Sequence, residues 1–395
     1  MKNRKMLLTA ALFGGMVLLS SIFSLQGALL EDLIAHYNLS DSAQGLAGTA
    51  ASVGGVIALA LSFFLMGRVR KFGLLKAAFA ICAAALIALC IMPSFALFVL
   101  IWGLIGVGLG FVDTLLSACM SDLYHGEEKK ATRMMCMLHM TYGLASMALP
   151  VLYTLLKSRG MSWYGMYGVV GGFGVALLIF TFIVSAGREQ VSESSRQSVS
   201  AGEIARTVTA GALPFFILAM FSHGYFLAGL NTWVTVYIGV TLNSTLGDIS
   251  LTFLFTGVML SRFLFPFTGL KPTRYICFSC IMSAALLLAA VLSGNDTAAA
   301  VLIALSGLAF GATIPCMLNL ACESVPGNTM LATTPMMLSL YLGEAVAPPV
   351  IGALESSAGL EWGMVSCCAV MLVTALFCFF AAARCGKEKK HPACL

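Results

Sequence analysis

Runs of about twenty apolar residues alternate with short polar breaks along the whole chain, and the pattern repeats twelve times. The runs fall near 6–30, 43–66, 74–93, 96–121, 132–156, 163–186, 210–239, 248–268, 273–293, 297–320, 329–354 and 358–384. A helix rising 1.5 Å per residue needs about 20 such residues to cross roughly 30 Å of hydrocarbon. Lipid offers the backbone no hydrogen bonds, so each run is predicted to be a helix. One polar break is long: GREQVSESSRQSVSAGEIART, residues 187–207, whose Ser, Gln, Glu and Arg cannot build a core. It divides the spans six and six. The predicted fold is an all-α integral membrane protein with twelve transmembrane helices in two pseudo-symmetric six-helix bundles. The N-terminal bundle takes residues 1–186, a cytoplasmic linker 187–208, the C-terminal bundle 209–385 and a cytoplasmic tail 386–395. The halves echo each other, with GRVRKFGLLK after span 2 and GVMLSRFLFPFTGLKPTR at the end of span 8. This layout suggests a secondary transporter holding its substrate near midplane between the halves.

Composition agrees with the pattern and charge orients it. The chain is 59% hydrophobic and 10% charged, with a mean hydropathy of +0.96, more apolar surface than one water-soluble core can hide. The opening MKNRK before LLTAALFGGMVLLSS resembles a cleaved signal peptide. If that segment stays as span 1, however, alternate loops collect 20 of the 22 basic residues, leaving only Lys157 and Arg159 on the other face. Both termini are therefore expected in the cytoplasm of a cell whose plasma (inner) membrane holds the chain. The net charge of +5 reports topology and gives no support for nucleic-acid binding. None of the 13 cysteines falls in an outer loop, so no disulfide framework is expected. Neither Cys277 with Cys280 nor the pair Cys367 and Cys368 has the company a metal site needs.

Polar groups inside spans are the candidate chemistry. Asp113 sits within GVGLGFVDTLLSACM, where Gly106, Gly110, Asp113 and Ser117 share one helical face that should meet protein or a wet cavity. A mid-span carboxylate costs about 2.5 to 3.5 kcal/mol on insertion scales, which favours a functional role over a structural ion pair. His139 lies at a similar depth across the loop SDLYHGEEKK, and such a pair can exchange a proton; the competing reading is a histidine bonded to a backbone carbonyl. In span 7, His223, Phe226, Leu230, Trp233 and Tyr237 form a stripe with a polar end and an aromatic wall, and Asn231 adds an amide able to read hydroxyls. Trp and Tyr near the outer end also suit the interfacial belt. Glu344 in LYLGEAVAPP shares a face with Met337, Tyr341 and Pro348 near midplane; its structural alternative is a tie to Tyr341 or His223.

Twelve spans, the six-and-six division and the glycine-basic turn after span 2 resemble the major facilitator superfamily over essentially the whole chain. The turn, Gly67, Arg68, Val69, Arg70, Lys71, Phe72, Gly73, is one residue shorter than the family's G-x-x-x-D-R-x-G-R-R and lacks its aspartate. The resemblance makes Gly67, Arg70, Lys71 and Gly73 gating residues, pinned in another way. GLGFVDT, LHMTYG, the W-x-x-x-Y of Trp233 and Tyr237, and GEAVAPP are similar to the fucose-permease-like sugar and proton symporters. That branch implies substrate and proton roles at Asp113 and a sugar-stacking role at Trp233 and Tyr237. The chain departs from it at Leu227, where an acid is common, at Glu344, where glycine is usual, and near Gly27, where Gln26 replaces an expected aspartate as the nearby polar group.

The expectation is proton-coupled uptake of a small polar solute such as a sugar by alternating access. Gln26, Asn231, Trp233, Tyr237 and Tyr341 are the candidate substrate residues, and Asp113, His139, His223 and Glu344 carry protons. No cofactor, metal or nucleic acid is expected, and the protein should be a monomer in the bilayer with a small-molecule substrate and protons as partners. Few intramembrane amides and 22 methionines also suit a proton-antiport exporter of amphipathic compounds. A non-transporting receptor or assembly factor would not need midplane titratable groups. An enzyme is disfavoured by the absence of H-x-x-x-H, G-x-S-x-G and Walker patterns.

Overall fold

A computed structural model describes residues 2–39, 46–66, 68–185, 200–325 and 328–388. Gly67, Cys394, most of the linker and the end of the tail lie outside the described residues. The chain forms α1 (Lys2–Ala28), α2 (Leu30–Tyr37), α3 (Leu46–Leu65), α4 (Lys71–Leu89), α5 (Phe95–Leu123), α6 (Glu128–Ser158) and α7 (Gly165–Ser185). It continues with α8 (Ala201–Val208), α9 (Leu213–Val236), α10 (Gly247–Leu264), α11 (Pro272–Ser293), α12 (Asp296–Phe310), α13 (Thr313–Ser324), α14 (Thr329–Ala358) and α15 (Leu360–Glu388). Twelve segments are long and apolar enough to span a bilayer, each overlapping one of the runs read from the sequence. Two short helices, α2 and α8, have no counterpart among those runs. α8 starts from a capping box in which Ser200 accepts from the Glu203 N–H at 3.2 Å and Glu203 returns to the Ser200 N–H at 3.3 Å. The tenth run is one span in the sequence and two helices in the structure, α12 and α13, interrupted at Gly311 and Ala312.

The chain divides into two compact units, residues 1–124 with 141–199, and residues 125–140 with 200–395. The division does not follow the linker, because the first part of α6 groups with the second unit and the rest of the helix with the first.

The helix pairings inside the units repeat. In the first, α3 packs on α5, α4 on α5 and α7, and α1 on α7. In the second, α10 packs on α12, α11 on α12 and α15, and α9 on α15. Each member of the first set has its counterpart six spans later, so the pseudo-symmetry expected from the sequence exists as repeated packing. Glycines make the tightest of these contacts. In the first unit a Cβ on Gly54 would overlap the Gly103 carbonyl, one on Gly106 the Ala51 carbonyl, and one on Gly110 would come within 2.8 Å of the Gly55 carbonyl. In the second unit Gly257, Gly307 and Gly311 stand in the same way against the carbonyls of Ala304, Leu254 and Val258. Small residues let helix backbones touch in lipid, where no hydrophobic force draws apolar helices together.

Candidate functional site

In the second unit the polar groups converge on the interruption between α12 and α13. Pro315 has no N–H, so the Gly311 carbonyl, four residues earlier, loses its helical donor. The Nε of Arg262, on the last turn of α10, donates to that carbonyl at 2.9 Å. The Ala312 N–H donates to Ser261 Oγ and to the Tyr275 hydroxyl, each at 3.2 Å. The Tyr275 hydroxyl in turn donates to the Ala309 carbonyl at 2.7 Å, and Ser279 meets Thr313 Oγ1 at 2.9 Å. Side chains of α10 and α11 thus satisfy a backbone that the helix has abandoned, as irregular backbone at membrane depth requires.

His223 of α9 stands beside this interruption. Its ring lies 5.5 Å from that of Phe310, the last residue of α12, and 6.3 Å from that of Phe226. The imidazole is fully buried, and neither ring nitrogen has a hydrogen-bond partner among the described residues. A tie between His223 and Glu344 is therefore excluded. An unmet buried polar group costs about 1 to 3 kcal/mol, so this histidine is expensive as a structural residue. Arg262 Nη1 also donates to the backbone carbonyl of His139 at 2.8 Å. Arg262 thus bonds both the interruption and the His139 backbone. In the sequence alone Arg262 is one of the basic residues near span ends, which mark topology.

Glu344 and Tyr341 are half-buried on α14. Glu344 follows Gly343, which abuts the Phe221 carbonyl, and His223 precedes Gly224, which abuts the Leu340 carbonyl. Both titratable residues therefore adjoin the close crossing of α9 and α14. Trp233 stands over Gly352 of α14, where an added Cβ would meet its ring at 3.6 Å, and its Nε1 has no hydrogen-bond partner among the described residues. Asn231 is exposed on another side of α9. Tyr237, whose N–H still bonds the Trp233 carbonyl, begins a π-turn, Tyr237–Thr241, which shifts the helical register only beyond Tyr237. Its side chain is fully buried and its hydroxyl donates to the Val291 carbonyl of α11 at 3.3 Å, so it packs within the bundle.

In the first unit Asp113 is half-buried, one turn beyond Gly110, and Ser117 on the same face is fully buried. The small-residue face they share meets the backbone of α3. Gln26 reaches over Gly48, where an added Cβ would come within 2.6 Å of its Nε2. Ser20 of α1 donates to the Tyr142 carbonyl at 2.6 Å and meets Ser146 Oγ at 2.7 Å, joining α1 to α6. The turn after α3 lacks the expected aspartate, and Lys71 instead pairs with Asp122, at the end of α5, at 2.7 Å. Arg70 caps the start of α4, and Gly73 has only the Arg70 Cβ near it, at 3.8 Å. Near the end of α6, Lys157 pairs with Asp32 of α2 at 2.8 Å, and the Tyr153 hydroxyl donates to the same carboxylate.

The family model described as Major Facilitator Superfamily matches residues 11–330. The chain belongs to the major facilitator superfamily. It is a multi-pass membrane protein of a transporter family, and its substrate is a small molecule. Among curated relatives, a Protein TsgA homolog from Enterobacter sp. (strain 638) is 22% identical over 275 residues, covering 68% of each chain. The Escherichia coli fucose:proton symporter FucP superposes with a TM-score of 0.74 at 15% identity, covering 95% of this chain and 99% of that one. The human organic anion transporter MFSD10 (TETRAN) does so with 0.76 at 14% identity, covering 95% of this chain and 99% of that one. A sugar transporter and an anion transporter fit equally well, so the major facilitator fold by itself does not choose the cargo.

Proposed function

We propose that this major facilitator protein is a proton-coupled importer of a small polar, sugar-like solute, working by alternating access in the inner membrane with both termini in the cytoplasm. The observation that carries the reading is His223: a fully buried imidazole with both nitrogens unmet among the described residues, beside an interrupted helix. Interrupted helices near midplane are where secondary transporters place substrate and coupling ions. Asp113 and Glu344 supply a carboxylate in each bundle, His139 a second imidazole, and Trp233 a flat face with an unmet N–H donor. Gln26, Asn231 and Tyr341 supply hydroxyl-reading groups. Tyr237 supports the wall. On this reading Gly67, Arg70, Lys71 and Gly73 form the cytoplasmic gating turn, with Asp122 in the place of the missing aspartate. FucP, a fucose:proton symporter, supports the reading by its likeness in fold.

The test is uptake of a radiolabelled sugar panel into membrane vesicles with and without an inward proton gradient. Gradient-dependent accumulation of one sugar supports the proposal. A second reading, a proton-antiport exporter of amphipathic compounds, is favoured by the phenyl rings of Phe226 and Phe310 around His223. Absence of sugar accumulation together with lowered cellular retention of a lipophilic dye would select it.

A further inference from the structure

Arg262 lies where three elements meet. Its Nε holds the Gly311 carbonyl at the interruption of span 10, and its Nη1 holds the His139 carbonyl, next to the point where α6 passes from the second compact unit to the first. The stretch of α6 before that point is docked on the second unit by three further contacts. Asn319 Nδ2 donates to Thr132 Oγ1 at 3.1 Å, the Arg133 guanidinium lies 4.8 Å over the Phe267 ring, and the buried Cys136 and Cys316 interact side chain to side chain. None of those three reaches the interruption. Arg262 alone among these contacts touches both the bend and the docked helix.

We propose that Arg262 is a positioning residue for the transport cycle: its guanidinium fork couples the bend at Gly311 and Ala312 to the docking of residues 128–140, so that the two rearrange together. The proposal rests on the alternating-access reading above. Pro315 leaves the Gly311 carbonyl without a helical donor in any bent state, so the guanidinium is needed there whenever the bend persists. A planar fork spans two carbonyls on different helices in one fixed geometry; an ammonium supplies the same charge without that geometry.

The experiment uses the full-length protein in inside-out vesicles without substrate, reacted with a membrane-impermeant maleimide and mapped by mass spectrometry. Cys136 and Cys316 report on the docked surface and Cys367 on the bundle interior; all three are fully buried. Arg262→Gln and Arg262→Lys should both raise the labelling rate of Cys136 and Cys316 by about fivefold or more, with Cys367 unchanged. Wild-type labelling in Arg262→Lys would overturn the fork in favour of charge alone, and a parallel rise at Cys367 would reduce the effect to general loosening. Should the Arg262 variants not accumulate, Tyr275→Phe loosens the bend from its other side. Coupling then requires faster labelling at Cys136 as well as Cys316, and a rise confined to Cys316 rejects it. Because labelling needs no cargo, predicted labelling without proton-driven uptake would leave the coupling standing and remove the symport reading. Proton-driven uptake with unmoved labelling would do the reverse.

Discussion

The crossing of α3 with α5 and the crossing of α10 with α12 are built alike and end differently. Each places two glycines four residues apart, Gly106 and Gly110 in one and Gly307 and Gly311 in the other, against the carbonyls of its partner helix. In the turn beyond the second glycine they diverge. α5 continues unbroken through Asp113 to Leu123, whereas Pro315 stops the other helix and calls in Arg262, Ser261 and Tyr275. Two copies of one packing unit therefore put different chemistry at the same station, a titratable carboxylate in one bundle and a bend in the other. Local rules agree along both crossings until that turn, and breaks in such agreement are where functional sites are expected.

The largest effect should come from breaking the shared part. Gly106→Val and Gly307→Val each drive a branched side chain into a backbone carbonyl, and either should cost about 3 kcal/mol or more, enough to abolish monodisperse protein on size-exclusion chromatography. Tolerance of one but not the other would end the equivalence of the crossings. Gly73→Ala, in open surroundings, is the matched control and should shift the thermal midpoint little.

Next come the parts that differ. His223→Leu replaces an unmet imidazole with an apolar side chain, so it should leave the thermal midpoint unchanged or raised while gradient-driven accumulation is lost. A clear fall in the midpoint would mean that His223 is a structural residue. Asp113→Asn mimics the protonated acid and should abolish accumulation against a gradient while keeping substrate exchange. PH-dependent uptake like that of wild type would remove Asp113 from the coupling. Asn231→Leu should weaken a sugar-like substrate by about 1 to 3 kcal/mol, roughly tenfold or more in Kd, and leave a greasy amphiphile unaffected. The smallest effect belongs to the turn between α3 and α4. The Lys71 and Asp122 side chains are 21% and 30% exposed, so Lys71→Gln should cost no more than about 1 kcal/mol in a thermal-shift assay.

Twelve spans were legible because a bilayer admits only long apolar helices, and the boundaries erred by a turn or less at most ends. The repeated glycine crossings were half legible: Gly106 and Gly110 on one face pointed to protein or a wet cavity, but the close approach to a particular helix depends on packing. The interruption in span 10 was written in Gly311 and Pro315, four residues apart, and passed unread because hydropathy is blind to a missing N–H. Arg262 was hidden for another reason. A basic residue near a span end reads as a topological signal, and only the fold shows it turned onto two carbonyls.

The order of the collar along the chain has a consequence for biogenesis. α12 and α13 hold 15 and 12 residues, and neither alone is long enough to cross the hydrocarbon, so the insertion machinery meets them as one span. The groups that later hold the bend, Ser261, Arg262 and Tyr275, all precede it in sequence and leave the ribosome first. The donors and acceptors needed at Gly311 and Ala312 are thus already in the membrane when Pro315 arrives, and the bent backbone need never stand bare in lipid. A circular permutant that begins at α12 reverses this order, and its newly made span 10 must wait without its collar, exposed to membrane proteases, until α10 and α11 follow.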